Sequence, residues 1–158
     1  RYPSGAFDYS RGALDRFRNW IDGRITDDQR TELVSASEQN PLAFVEAFPK
    51  PWAEFRRDQI TDLVERIYVG VKRRRPEVLV SAAVFPDAQE SFLHRYQDWE
   101  EWLRRGIVDV VGPMAYNPDD GLFDQAISHA ADDRQVRTHI RAAGAGAGCI
   151  AAFRPARD

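Results

Sequence analysis

Two short stretches carry residues whose types suit chemistry. "FPDAQE" spans residues 85–90 and "YNPDD" spans 116–120, and each follows an apolar, β-branched run. Aromatic side chains beside carboxylates suit a sugar. A pyranose ring stacks on an aromatic face, and its hydroxyl groups hydrogen-bond to carboxylates, amides and arginine. Cleavage of a glycosidic bond usually takes a pair of Asp or Glu, one as acid and the other as nucleophile or base. Asp87 is the only acid within two residues of the end of its apolar run, so it is the strongest candidate acid. Asp87 and Asp119 also sit in proline-flanked turns, where aspartate caps backbone N–H groups, and that structural role competes with catalysis.

Other chemistries find less support. His94, His129 and His139 fall on helical segments and share no metal-ligand spacing of the H-E-x-x-H kind, so no metal and no cofactor is expected. No G-x-S-x-G elbow of a serine hydrolase occurs. "GAGAG" at 144–148 follows a helical pattern and precedes an apolar run, the wrong order for a phosphate cradle, and reads as a helix stop and loop. Cys149 is the single cysteine, which excludes an internal disulfide and a cysteine metal site; as a small apolar residue it suits a core.

The whole composition bounds the rest. The 158 residues suit one domain or part of a larger one, and 43% hydrophobic with 30% charged residues is ordinary for a folded chain. A net charge of -3 argues against a general nucleic-acid partner, which needs a basic excess or stripe. No apolar run approaches 18 residues, so no transmembrane helix is expected. The opening "RYPSG" lacks an initiator Met and any signal-peptide pattern, and it suggests an excised piece. Oligomeric state is not legible.

Positioning falls to alternating helices and strands. Leu14, Phe17 and Ile21 stripe a helix over 10–24, with Trp20 beside them. "TDDQ" at 26–29 has the form of a capping box. Asn40 and Pro41 suit the N-cap and first position of another helix, and "PKP" at 49–51 then breaks the chain. Ile60, Leu63, Val64, Ile67 and Val71 mark a long helix that starts near residues 52–55 and ends at "KRRRP", a cationic last turn before proline. The pattern then predicts a strand over 78–84, a helix over 91–105 stopped by Gly106, and a strand over 107–114. Helical pieces over 123–133 and 135–143 follow, then a strand over 148–153. Apolar strands alternating with amphipathic helices predict a parallel α/β sheet, whose ligands bind at the C-terminal ends of its strands.

Three phrases taken together resemble a known group. "RYPSG" at the start, "FRRDQITDLVERIYVGVKRRRPEVLVSAAVFP" from residue 55 and "WLRRGIVDVVGPMAYNPD" from residue 102 are similar to the glycosyl-hydrolase-like family 10 proteins. The resemblance covers about two-thirds of the chain. It implies a (β/α)8 barrel, of which this chain is the C-terminal half. Residues 78–84 resemble strand five, 107–114 strand six and 148–153 strand eight, with 10–50 a helical insertion after strand four. No apolar run marks a seventh strand between the segments 123–133 and 135–143. The family's strand-four phrase carries acids before "RYP"; here only Arg1, Tyr2 and Pro3 of it remain.

The resemblance implies glycoside hydrolysis of bacterial polysaccharide, peptidoglycan strands included, by an exported or envelope protein, with part of the carboxylate pair upstream of Arg1. The chain by itself is then expected not to be an independent enzyme. The expected groove holds Asp87 as acid. Arg1, Tyr2, Phe85, Met114, Tyr116 and Asn117 face the glycan, and Arg56 and Arg57 are further candidates. A non-catalytic carbohydrate-binding or interaction module on the same scaffold is the competing reading, because a barrel does not itself establish catalysis. A barrel enzyme for phosphorylated metabolites would want a glycine-rich site near its last strands, and "AAFRPARD" at 151–158 has none. A second carboxylate about 5 to 10 Å from the first would favour hydrolysis.

Overall fold

The structure is a computed structural model and describes residues 9–114, with the backbone of residues 136–140 and 151–155. Helices α1 (Arg11–Ile21), α2 (Asp27–Ser37), α3 (Ala43–Ala47) and α4 (Pro49–Arg74) precede strand β1 (Ser81–Val84). A helical turn α5 (Ala88–Glu90), a π-helical turn (Ser91–Arg95) and α6 (Trp99–Arg104) lead to β2 (Val110–Pro113). Strands β3 (Val136–Ile140) and β4 (Ala151–Pro155) complete the described elements.

The first helices form where their caps dictate. The Ser10 hydroxyl accepts from the Ala13 N–H at the start of α1. Thr26 and Gln29 close a reciprocal capping box on α2, as the sequence predicts. Asn40 is not the N-cap. Its side chain accepts from the Leu42 N–H in a turn just before α3, and Leu42 takes the cap position. Pro49 and Pro51 do not break the chain but open α4, because proline is tolerated in a first turn whose N–H groups lack helical partners. Ala13, Leu14, Phe17 and Ile21 of α1 pack with Phe44, Val45, Trp52 and Phe55 into a helical core. Phe17 meets Trp52 edge-on with ring centroids 5.0 Å apart, a favoured aromatic geometry.

Helix α4 joins this core to a second one. Two turns beyond Phe55, Ile60 and Val64 pack against the sheet core of Val84, Trp99, Trp102, Leu103, Ile107, Val108 and Val111. The buried Trp102 indole N–H donates to the Thr61 hydroxyl at 2.9 Å and pins α6 to α4. Trp102→Phe removes that donor and leaves a buried hydroxyl unsatisfied. The expected loss is about 1–2 kcal/mol, read from the shift of the urea midpoint at constant slope.

Strands β1 and β2 pair in parallel, with Ser81 opposite Val110 and Val84 opposite Pro113. This agrees with the sequence pattern. The remainder of the sheet departs from it. The order is β1-β2-β4-β3, and β4 runs antiparallel to both neighbours. The segment 136–140, expected to be helical, is strand β3. Val136, Thr138 and Ile140 are β-branched at alternate positions, which suits a strand. Residues 141–150 are too short a link for a parallel crossover, which needs a dozen residues or more, so consecutive β3 and β4 pair antiparallel.

The helix predicted over 91–105 is also divided. Tyr96 adopts a left-handed backbone (φ 56°), and α6 restarts at the Asp98 N-cap. Gly106 (φ 66°) ends α6 as expected, a conformation that favours glycine. The helical segment expected over 123–133 lies outside the described residues.

Candidate functional site

The break at Tyr96 builds the C-terminal end of β1. Val80 and Val84 carbonyls accept from the Val110 and Met114 N–H groups, so the even positions of β1 face β2. The odd positions face the opposite edge. There the Gln97 side-chain amide accepts from the Phe85 N–H at 3.3 Å and donates to the Ala83 carbonyl at 3.4 Å. It stands where a neighbouring strand's peptide would stand. The buried Ser91 hydroxyl donates to the Phe85 carbonyl at 3.1 Å. Both edges of the strand end are thereby fixed, and the turn that carries Asp87 leaves from a rigid base.

Arg56 supports this turn from below. It is 0% exposed, and its Nη1 donates to the Tyr96 hydroxyl at 3.0 Å. Its guanidinium lies over the rings of Tyr96, Trp52 and Tyr9 at 4.8, 5.0 and 5.3 Å. A side chain so enclosed holds the left-handed Tyr96 rather than meeting an open surface. Arg57, one position on, stacks over the Phe92 ring at 4.0 Å. Phe85 is half-buried at the strand end, with the Arg95 guanidinium 4.6 Å over its ring.

Beyond the strand end lies a cleft of about 360 Å³, lined by Asp87, Gln89, Phe92, Asp98, Trp99 and Glu100 among others. Asp87 is exposed, and its Oδ1 accepts from the Glu90 N–H at 2.7 Å, the capping role expected of an aspartate in such a turn. Its other carboxylate oxygen is not engaged by this cap. Asp98 likewise caps α6 through the Glu101 N–H at 3.4 Å. Burial pushes the Asp98 carboxyl above its usual range, and the like charge of Glu101 adds to this; the Glu101 N–H bond and the charge of Arg57 oppose it. Three acidic residues, Asp87, Asp98 and Glu100, therefore line one cleft at the end of β1 that ligands of α/β sheets favour.

Sequence reasoning placed Asp87, Phe85 and Arg57 near this cleft and missed Asp98, Phe92, Gln97 and Trp99. Asp98 and Glu101 do form a D-x-x-E capping pattern, hidden because the period of Phe92, Tyr96, Trp99 and Leu103 reads as one continuous helix. Met114 is half-buried just past β2. Arg1, Tyr2, Tyr116, Asn117 and Asp119 lie outside the described residues.

Among the described residues, no group of three or more His, Cys, Asp or Glu is arranged to hold a metal ion. No helix among them is long and apolar enough to cross a membrane. The opposite end of β2 holds a different ionic group. Asp109 is buried there, its Oδ2 2.7 Å from Lys72 Nζ and 2.8 Å from the Val80 N–H, with the Tyr68 hydroxyl donating to Oδ1 at 3.4 Å. This lies at the N-terminal end of the strands, where polar groups serve stability rather than chemistry.

No curated protein and no solved structure matches the chain significantly. The family described as Glycosyl hydrolase-like 10 matches residues 21–146, which takes in α2 to α6, β1, β2 and the whole cleft, and the chain belongs to that family.

Proposed function

We propose that this chain is part of a glycoside hydrolase-like (β/α)8 barrel that acts on bacterial polysaccharide, peptidoglycan glycan strands included, in an exported or envelope protein. On this reading β1 and β2 are consecutive barrel strands, fifth and sixth. The observation that carries it is the cleft at the C-terminal end of β1, where Asp87 and Asp98 meet the exposed face of Phe92 in a chain of this family. Asp87 supplies acid or base chemistry, and a partner carboxylate upstream of Arg1 completes the pair. Phe85, Met114, Tyr116 and Asn117 line the groove at the strand ends, Arg1 and Tyr2 adjoin the upstream acid, and Arg57 borders the groove beside Phe92. Arg56 acts through Tyr96.

The test is release of new reducing ends from purified glycan strands by the whole protein. Tyr116→Ala removes a stacking face and is expected to weaken glycan binding by roughly 1–3 kcal/mol, measured by titration calorimetry. A non-catalytic glycan-binding module is the second reading, and the capping bond of Asp87 favours it. Saturable glycan binding without any new reducing ends selects the second reading over the first.

A further inference from the structure

One buried amide shapes the end of β1. In a parallel ladder, a residue of the neighbouring strand donates to one carbonyl of a strand and accepts from the N–H two residues on. Along the edge of β1 away from β2, the Gln97 side chain makes that same pair of bonds, to the Ala83 carbonyl and from the Phe85 N–H. The Ser91 hydroxyl takes the next edge group, the Phe85 carbonyl, and the Gln97 N–H donates back to the Ser91 carbonyl at 3.0 Å. A strand laid along this edge can therefore pair as far as the Ala83 N–H and no farther. Gln97 is 4% exposed, so these bonds are shielded from water and their loss leaves buried groups unsatisfied. The same residue joins two walls of the cleft. Phe85 lies two positions before Asp87, the cap of α5, and Gln97 lies one position before Asp98, the cap of α6.

We infer that Gln97 is a positioning residue for Asp87. Its amide ends strand pairing along the open edge of β1 short of the strand end. By tying Phe85 to the segment before α6, it fixes where the Asp87 turn stands against the opposite wall of the cleft. Its part is to hold Asp87 in place, not to bind the glycan. Only a group that both donates and accepts can do this. An ionised carboxylate of the same shape accepts from Phe85 but sets a negative oxygen against the Ala83 carbonyl. Misplacing a catalytic group by about 1 Å can cost roughly a hundredfold in rate, while the groups that bind the substrate stay as they are.

This inference rests on the reading of Asp87 as acid or base of glycan cleavage, and the experiment separates the two. Release of reducing ends from purified glycan strands by the whole protein is measured for Gln97→Met, which keeps the volume and removes both bonds, and for Gln97→Glu. Gln97→Met is expected to lower kcat at least about tenfold with KM within about twofold. Gln97→Glu should match that loss at neutral pH and regain kcat relative to wild type as pH falls. The protonated carboxyl accepts from Phe85 and donates to Ala83 as the amide does, and burial starts this recovery above the ordinary carboxyl pKa of about 4.3. In an Asp87→Asn background Gln97→Met should cost little more, because two changes that act through one group do not add. Unchanged kcat in folded Gln97→Met overturns the inference. A loss carried by KM makes Gln97 a binding group, and a loss undiminished in the Asp87→Asn background places its effect elsewhere; each also overturns it. If Gln97→Met does not fold, Gln97→Glu decides alone, and no recovery in acid overturns the inference. All these failures leave the glycan reading standing, whereas a wild-type protein without turnover removes hydrolysis and the inference together.

Discussion

Lys72→Met is expected to cost about 3–5 kcal/mol of stability, a large share of the 5–15 kcal/mol typical of a domain. Lys72 is the only cation bonded to the buried Asp109 among the described residues, at 2.7 Å, and its ammonium also donates to the Val78 carbonyl at 2.8 Å. One side chain thus ties the end of α4 to the link before β1 and to the start of β2. Burial pushes the Asp109 carboxyl up, but hydrogen bonds from Lys72, the Val80 N–H and Tyr68, with the charge of Lys72, bring it below its ordinary value. Removing the cation leaves the burial penalty without its main offset. Lys72→Met combined with Asp109→Asn is expected to lose less than the two single losses added together, because the double change leaves no buried charge.

The pH dependence has a fixed sign. A carboxyl held low in the fold contributes stability that is complete above the ordinary carboxyl pKa of about 3.9 and is lost as pH falls through the lowered folded value. The gap between wild type and Lys72→Met is therefore widest at neutral pH and closes in acid. Thermal melts of both proteins from neutral pH down to the acid limb measure it. A gap that stays constant across that range would mean Lys72 acts through its apolar stem and its carbonyl bonds rather than through Asp109.

What was legible in the sequence is what local chemistry decides. Thr26 caps α2, as the capping-box pattern of residues 26–29 indicates, because its hydroxyl and the Gln29 side chain satisfy each other's free N–H groups locally. The run before Met114 reports burial directly, with Ile107, Val108 and Val111 in the core. The stripe of α4 marks the helix without burying it, since Leu63 and Ile67 are exposed, and of the run before Phe85 only Val84 is buried. Gly106 marks a stop because its left-handed backbone suits no other residue as well. The misses are places where a distant partner outbid a local pattern. Phe92, Tyr96, Trp99 and Leu103 keep a helical period, yet the Gln97 amide takes the open edge of β1 and turns Tyr96 left-handed. That bond joins residues 83 and 97 and has no signature at either position. Asp98 became a cap, and so a wall of the cleft, only as a consequence. Residues 136–140 carry a weak alternation that fits either element, and pairing with β4 decides it.

The same local chemistry makes Asp87 testable. Its Oδ1 caps α5 through the Glu90 N–H, so loss of activity in an alanine variant would confuse capping with catalysis. Asp87→Asn separates them. The amide oxygen still accepts from Glu90, and asparagine ranks with aspartate as an N-cap, so stability should change by only a few tenths of a kcal/mol. The amide neither gives nor takes a proton, and if Asp87 is the acid or base of glycan cleavage, turnover by the whole protein should fall at least about a hundredfold, some 2.7 kcal/mol of transition-state stabilisation. Asp87→Ala should match that loss in turnover and add about 1 kcal/mol of instability from the missing cap. The two variants thus agree in rate and differ in melting temperature. A full rate in Asp87→Asn, with melting unchanged, would confine Asp87 to its turn, and the proton transfers would belong to carboxylates elsewhere in the protein.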